Sequence, residues 1–154
     1  MRGKPIPKRR ISPDPKFHRL DIAKLINKIM ERGKKNTAQK IVYGAFDYIS
    51  DKTKQDPVEI YDAAMRNVSP NLEVKGKRIG GANYQVPIVV MGDRKLTLAH
   101  RWLIGAAQSR KGASMIVKLG DELISAAKGE GTAMKKREDV QKMAEANKAF
   151  AHFA

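Results

Sequence analysis

Cysteine is absent from this sequence of 154 residues. Its absence excludes disulfide bonds, thiolate metal sites and cysteine nucleophiles. Long apolar runs are absent too: the longest, VPIVVM at residues 86–91, is far shorter than the roughly 20 residues of a membrane-spanning helix. The basic amino terminus contains no apolar segment of the kind found in secretory signals. Together these absences predict a cytoplasmic protein without a membrane partner.

Acidic residues are scarce relative to basic ones. The sequence has 16 aspartate and glutamate residues against 31 lysine and arginine residues, which gives a formal net charge of +15. Repulsion on that scale destabilises a compact chain unless a polyanion neutralises it. We therefore expect a polyanionic partner. The length fits one domain, so residues 1–154 are expected to fold as a single unit.

Sequence signatures of catalysis are lacking. No Walker loop, G-x-G-x-x-G or G-x-S-x-G motif occurs. The histidines His18, His100 and His152 have no second ligand at helical spacing, so a zinc site is not expected and each is predicted to face solvent or RNA. Asp121 and Glu122 are adjacent in a predicted helix, where neighbours point apart. The sequence therefore disfavours an enzyme and predicts no cofactor, no metal and no small-molecule substrate.

Apolar residues recur at helical spacing along most of the chain, which predicts a mainly α fold of about six helices forming a bundle. Caps and breakers mark the predicted ends. The predicted boundaries are Asp21 and Gly33 for the first helix, Thr37 for the start of the second, Asp56-Pro57 and Ser69-Pro70 for the third, Asp93 for the start of the fourth, Gly129 after the fifth and Thr132 for the start of the last.

The stretch KGKRIGGANYQVPIVV at residues 75–90 departs from the helical pattern. Residues 72–79 and 84–90 are strand-like, and the intervening Gly80, Gly81, Ala82 and Asn83 tolerate a tight turn. Pro87 cannot donate to a sheet ladder, which argues against a central strand. We therefore predict that residues 72–90 form a protruding two-stranded antiparallel β-ribbon, which must pack on another element because two strands alone are marginally stable.

Basic residues gather in clusters that contain few acids, and phosphate binding explains such clusters better than solubility does. Residues 1–16 predict an extended basic amino-terminal arm, and the cations that begin the last helix oppose its dipole unless phosphate lies nearby. Lys52 and Lys54, which have acidic neighbours, are instead interpreted as a solvated face. The predicted nucleic-acid contacts are Arg2, Lys4, Lys8, Arg9, Arg10, Arg32, Lys34, Lys35, Lys75, Lys77, Arg78, Arg94, Lys95, Arg101, Arg110, Lys111, Lys135, Lys136 and Arg137.

Two further expectations concern apolar side chains. Tyr84 follows the predicted turn, where it either stacks on an unpaired base or packs across the hairpin, and the sequence does not choose between these interpretations. The methionines Met30, Met65, Met115 and Met143 are predicted to fill the core rather than to form a binding surface.

Four separated segments carry a combined pattern: DIAKLINKIMERGKKNTAQKIVYGAFD at 21–47, IGGANYQVP at 79–87, HRWLIGAAQSRKG at 100–112 and KKREDVQKMAEANKAFAHF at 135–153. Together they resemble the bacterial form of small-subunit ribosomal protein seven. The resemblance runs from about residue 5 to the end of the chain. Two stretches depart from the family pattern: the chain ends His152-Phe153-Ala154 where members commonly end in tyrosine, arginine and tryptophan, and SMIVKLGDELISAAKGEG at 114–131 is unusual.

The resemblance implies a helical RNA-binding domain with a β-ribbon arm. It implies direct binding to the 3′ major domain of 16S rRNA, nucleation of head assembly, and a place near E-site tRNA and the mRNA exit path. It further implies that small-subunit ribosomal proteins nine and eleven are neighbours. Carried onto this chain, it assigns rRNA contacts to the basic clusters and a tRNA-side element to the ribbon tip, Gly80, Gly81, Ala82, Asn83 and Tyr84.

Two other functions are compatible with a basic helical protein that carries a ribbon. One is a DNA-architectural protein, although such proteins place an apolar wedge or proline at the ribbon tip and Pro87 lies several residues past the turn. The other is an RNA-modifying enzyme, which requires a cofactor loop or an activated nucleophile that the sequence does not show.

Overall fold

The computed structural model describes residue 3 and residues 10–153. Within these residues the chain forms six α-helices, a two-stranded antiparallel sheet and a final 3₁₀ helix, which confirms the mainly α fold with a β-ribbon. Four residues of the predicted basic arm, Arg2, Lys4, Lys8 and Arg9, lie outside the described residues. The elements are α1 (Leu20–Ile29), α2 (Lys35–Thr53), α3 (Pro57–Val68), β1 (Leu72–Ile79), β2 (Ala82–Val89), α4 (Gly92–Ser109), α5 (Met115–Ala127), α6 (Thr132–Ala146) and the 3₁₀ helix (Lys148–Phe153).

Helix α3 has the ends that the sequence predicts. The side chain of Asp56 accepts a hydrogen bond from the backbone N–H of Val58 at 2.9 Å, Pro57 is the first helical residue, and Ser69 is the C-cap. A carboxylate at the N-cap satisfies one of the amides that a helix start leaves unpaired, so local sequence alone determines this boundary.

The predicted caps of α1 and α4 are wrong. Arg19 and Met91 precede these helices, and neither side chain forms a cap. Asp21 lies inside α1 and accepts a hydrogen bond from Nε of Arg19 at 3.0 Å, while Asp93 lies inside α4 and accepts one from Nζ of Lys24 at 2.8 Å. Each carboxylate, from its position inside a helix, thus pairs with a cation, and Asp21 also accepts a hydrogen bond from the backbone N–H of Ile22 at 2.9 Å.

The turn between α1 and α2 also differs from the prediction. Helix α1 ends at Ile29 with Met30 as its C-cap, so Gly33 is not the C-terminal glycine of the helix. Gly33 lies within the following turn at φ +76°, a left-handed conformation that glycine adopts readily. Helix α2 begins at Lys35, two residues before the predicted start.

The core is organised around α5, which packs against α2, α3, α4 and α6. Two glycines allow α2 and α5 to approach closely: a Cβ at Gly44 would lie 3.0 Å from Cδ1 of Ile116, and one at Gly120 would lie 2.5 Å from Cδ1 of Tyr48. Glycine therefore occupies the middle of α5, despite its poor helix propensity, because no larger residue fits there. The largest fully buried apolar side chains are those of Tyr61, Phe46, Ile22, Leu25, Ile26, Ile49, Leu103, Leu119, Leu123 and Val42.

His100 belongs to this core, so its predicted exposure is wrong. Its side chain is 1% exposed, and Nε2 lies 2.8 Å from the hydroxyl oxygen of Tyr61 in a hydrogen bond. Burial lowers the pKa of His100 to about 4, which keeps the ring neutral near pH 7. His18 and His152 are exposed, as expected.

The methionine prediction holds in part. Met65 is 7% exposed and belongs to the core, and Met30 and Met115 are half-buried against it. Met143 is 48% exposed on α6, so its assignment to the core is wrong. The sequence around Met143 is strongly charged, and α6 buries only Ala133, Met134 and Ala144.

The end of the predicted amino-terminal arm folds against the helices instead of extending from them. Asp14 is 2% exposed and accepts hydrogen bonds from the backbone N–H groups of Lys16 and Phe17 at 3.0 Å. Its other oxygen accepts a hydrogen bond from the hydroxyl of Tyr43 at 2.6 Å. Burial and this hydrogen bond raise the pKa of Tyr43 to about 12. One buried acid thus fixes the point at which the chain enters α1.

The ribbon forms as predicted, with a shorter turn. Ile79 pairs with Ala82, so only Gly80 and Gly81 lie in the turn, at φ +56° and +89°. Two positive φ values suit the tight hairpin turn whose twist matches that of the strands. Strand β2 therefore begins at Ala82, two residues before the predicted start.

The base and the outer part of the ribbon have different supports. Val86 and Pro87 are buried, and α6 packs against both strands. Further out, the ring of Tyr84 contacts the rings of Phe150 and Phe153, at centroid distances of 5.1 and 5.8 Å. Tyr84 thus packs on the carboxy-terminal 3₁₀ helix, on the ribbon face that it shares with Lys77.

Candidate nucleic-acid interface

Helices α1 and α4 form a groove that contains two lysines and one acid. Lys24 and Lys28 of α1 line it with Asp93, Thr97 and His100 of α4, and Lys24 pairs with Asp93 at 2.8 Å. Ile11 lines the same groove, so the described beginning of the chain passes beside these lysines. Burial is the main cause of the low pKa of His100; the charge of Asp21 raises this pKa, and the charges of Lys28 and Lys24 lower it. The predicted contacts did not include Lys24 and Lys28, although both lie off the apolar stripe of α1 in the sequence.

The turn between α1 and α2 adds three exposed cations, Arg32, Lys34 and Lys35. Arg32 adopts a left-handed conformation at φ +51°. Lys34 lines a groove with Gln108 at the end of α4 and Met115 at the start of α5. None of the three cations makes an ion pair or a side-chain hydrogen bond in the part of the chain that the structure describes. Their donors therefore point at solvent, as a phosphate-binding turn requires.

Arg110 has a structural partner, unlike its neighbour Lys111. The guanidinium donates to Oε2 of Glu122 at 2.9 and 2.6 Å, and the Glu122 side chain is fully buried. Oε1 of the same carboxylate accepts a hydrogen bond from the backbone N–H of Ala133 at 3.0 Å. Glu122 thus joins the α4–α5 loop to the first turn of α6. Lys111 is exposed.

A second nearly buried acid organises the base of the ribbon. Glu73 of β1 accepts hydrogen bonds from Arg94 at 3.0 and 2.8 Å and pairs with Lys75 at 2.9 Å. Burial alone raises the pKa of Glu73, but the hydrogen bonds from Arg94 and Lys75 outweigh it and hold the pKa below its usual value. Lys95 is also engaged, because its Nζ donates to Oδ1 of Asn71 at 2.7 Å.

The outer ribbon places its cations on opposite faces. Side chains alternate along a strand, so Lys75 and Lys77 share one face while Arg78 lies on the other. Lys77 donates to the backbone carbonyl of Phe153, whereas Arg78 is exposed. Around the turn, Gly80, Gly81, Ala82 and Asn83 are exposed and Tyr84 is half-buried.

The first turns of α6 and the middle of α4 supply the remaining predicted cations. Lys135 and Lys136 are exposed on α6, while Arg137 donates to the backbone carbonyl of Asn67 at 2.6 Å. Arg101 is exposed on α4, one turn beyond Thr97.

The predicted contacts therefore divide into two groups. Five of the cations are held by the protein itself, through carboxylates or through amide and carbonyl oxygens, and Lys75 shares the nearly buried Glu73. The second group makes no ion pair or side-chain hydrogen bond within the described residues: Arg10, Arg32, Lys34, Lys35, Arg78, Arg101, Lys111, Lys135 and Lys136. The members of this second group present uncompensated charge, which is what phosphate binding requires.

The described residues offer neither a metal site nor a membrane-spanning helix. Across residue 3 and residues 10–153, no three histidine or carboxylate side chains converge on a point that would hold a metal ion. The described helices include none with the length and apolar character needed to cross a bilayer.

The sequence matches the family described as ribosomal protein S7p/S5e over residues 1–148. The chain belongs to this family. It is 54% identical over 152 residues to the small ribosomal subunit protein uS7 of Azoarcus sp. (strain BH72), an alignment that covers 99% of this chain and 97% of that protein. The uS7 protein of Pelotomaculum thermopropionicum is 55% identical over 96% of this chain and 95% of its own length. For the uS7 protein of Thermotoga petrophila the identity is 56%, over 94% of each chain. These similarities confirm the resemblance carried by the four sequence segments.

Proposed function

We propose that this protein is a structural component of the small ribosomal subunit that binds the 3′ major domain of 16S rRNA directly and nucleates assembly of the subunit's head. The observation that carries the proposal is a set of exposed, uncompensated cations on a chain that belongs to the S7p/S5e family. In this proposal the whole chain is one RNA-binding domain of the cytoplasmic ribosome, and it has no catalytic role.

The rRNA contacts are assigned first to the cations without a protein partner. In this assignment the turn at 32–35, Lys28 of α1 and Arg101 of α4 provide the first contacts, and Lys111, Lys135 and Lys136 add further ones. Lys24 lies beside Lys28 in the same groove but pairs with Asp93. Arg110 and Arg94 act chiefly by positioning the loop and the ribbon, because their guanidinium groups are engaged by Glu122 and Glu73.

The ribbon is assigned to the tRNA side of the head, with its glycine tip near E-site tRNA and the mRNA exit path. The two-residue turn makes the tip narrow, and its exposed backbone allows close approach of another chain. Small-subunit ribosomal proteins nine and eleven are the proposed protein neighbours.

The turn at 32–35 offers a direct test with a matched control. R32N/K34Q removes two charges from the proposed interface, and K54N/K52Q removes two charges from the other end of α2. Arg32 and Lys54 share the same left-handed conformation, at φ +51° and +56°, which asparagine tolerates. We expect R32N/K34Q to weaken binding to a folded 3′ major domain fragment and to flatten its log–log salt dependence by about 1.5, since each phosphate contact contributes roughly 0.7 to 0.9.

The control should change binding much less, because Lys52 pairs with Asp121 on the solvated face. Filter binding or fluorescence titration at several salt concentrations measures both slopes. Equal losses in the two variants would contradict this interface. Equal affinity of the parent for DNA of the same length would contradict the function itself and favour a DNA-architectural protein, because RNA shape and 2′-hydroxyl contacts should discriminate.

A further inference from the structure

The outer half of the ribbon contacts the carboxy-terminal 3₁₀ helix through a small aromatic cluster. Tyr84 and Lys77 are directly opposite each other across the strands, so both side chains lie on the same face of the ribbon. On that face the carboxy-terminal 3₁₀ helix supplies the rings of Phe150 and Phe153, which stack at 16° and 6.5 Å. Both rings contact Tyr84.

A hydrogen bond reinforces this contact. Nζ of Lys77 donates to the backbone carbonyl of Phe153, so both strands of the ribbon are joined to the 3₁₀ helix. A lysine ammonium has three donors, and this bond therefore leaves donors on Lys77 for a phosphate. Tyr84, Phe150 and Phe153 are all half-buried, which shows that the cluster excludes part of the solvent from every ring.

The rest of the outer ribbon has no comparable support. The cations at 75, 77 and 78, the turn glycines and Ala82, Asn83 and Gln85 are exposed. Two strands without a third layer are marginally stable in water. The buried base at Val86 and Pro87 fixes where the ribbon begins, but a contact farther out is needed to fix the direction in which it points.

We propose that Phe150 and Phe153 are positioning residues that latch the ribbon, through Tyr84 and Lys77, in the orientation in which its cations meet RNA. The RNA part of this inference rests on the proposed function, while the latch itself does not. Holding the ribbon in advance removes the ordering cost that a swinging arm pays on binding. It also assigns Tyr84 to the latch, so its ring is engaged by protein and not by an unpaired base.

The absence of cysteine makes the latch measurable without RNA. Spin labels at N83C on the ribbon tip and D51C on α2 report the orientation of the ribbon, because the full-length parent has no other cysteine to label. We expect a narrow interspin distance distribution in the otherwise unchanged protein and a broad one in F150A/F153A. F150Y/F153Y keeps both rings and should restore the narrow distribution, and A151S, an exposed change in the same 3₁₀ helix, should leave it unchanged.

A substitution in the ribbon itself tests the latch from the other side of the contact. Y84A removes the shared partner and should broaden the distribution as F150A/F153A does, with the far-ultraviolet circular dichroism of the helices unchanged. Equal widths for the parent, F150A/F153A and Y84A would overturn the latch.

RNA binding then tests the positioning role. If latch loss reduces the correctly oriented population to between a third and a tenth, Kd for the 3′ major domain fragment rises about 3- to 10-fold. The salt slope should stay unchanged, because no phosphate-binding cation is removed. A broadened distribution with an unchanged Kd would overturn the positioning role. Failure of the parent to bind the fragment would contradict the proposed function, and the distance measurement would still decide the latch.

Discussion

Substitution of Arg110 should lower the stability of the protein, whereas substitution of its neighbour Lys111 should weaken RNA binding. R110A removes two charged hydrogen bonds from the fully buried carboxylate of Glu122. The carboxylate then keeps one donor, the backbone N–H of Ala133. Removing one partner of a buried ion pair costs about 3 to 5 kcal/mol. The Arg110 side chain is 34% exposed, so we expect a loss of about 3 kcal/mol in the free energy of unfolding, at the lower end of that range.

Urea denaturation followed by circular dichroism measures this loss, with the m-value as a check that the transition keeps its cooperativity. K111A is the matched control: Lys111 is exposed in the same loop and should leave stability within about 0.5 kcal/mol of the parent. K111A should instead weaken RNA binding and flatten its salt slope. A stable R110A protein would refute the assignment of Arg110 to the fold.

The double variant R110A/E122Q separates charge from packing. Glutamine removes the buried charge that R110A leaves uncompensated, so part of the lost stability should return. The interaction energy from the double-mutant cycle then measures the coupling between residues 110 and 122. Strict additivity would mean that the two side chains do not interact in solution.

Two more predictions concern buried positions. The pKa of His100 is about 4 in the folded protein against 6.5 for free histidine. The unfolded chain therefore binds the proton more readily as pH falls, and the free energy of unfolding should drop by about 2 kcal/mol between pH 7.5 and 5. H100Q should remove this part of the pH dependence in denaturant titrations. G120A gains about 1 kcal/mol of helix propensity, but it places a Cβ 2.5 Å from Cδ1 of Tyr48. Overpacking costs about 1 to 3 kcal/mol, so the thermal midpoint should fall. Y48A/G120A relieves the clash and should lose less stability than the sum of the two single changes.

Local sequence was sufficient wherever a boundary depends on neighbouring residues. Asp56, Pro57 and Ser69 mark α3 correctly because the cap, the ring and the stop all act within one helical turn. Asp21 and Asp93 look like equally good caps in sequence, yet each lies inside its helix and accepts a hydrogen bond from a cation, Arg19 and Lys24 respectively.

The core position of His100 was available from the sequence. Leu96, Leu103 and Ile104 lie at i−4, i+3 and i+4 from it, so the histidine occupies the apolar face of α4. The docking of Phe150 and Phe153 on Tyr84 was not available, because the contact joins segments more than 60 residues apart and no periodicity links them. The hydrogen bond from Arg137 to the backbone carbonyl of Asn67 could not be predicted either, because nothing in the sequence around the two residues indicates it.

Counting basic residues overstates the number of cations available to RNA, because a few acids of the protein hold some of them. With 16 carboxylate side chains against 31 cations, one-to-one pairing would leave 15 cations without an acidic partner, but the buried acids Glu73 and Glu122 bind specific ones tightly. Arg94 and Arg110 share the sequence features of a phosphate contact with Arg32 and Lys111, and only the burial of the acid separates them. A carboxylate removed from water must keep its partner, so the cation beside it is held in place even when RNA is near. The proposed interface is therefore assigned first to the cations that no protein group holds, which is why the turn at 32–35 is a sharper test than the ribbon base.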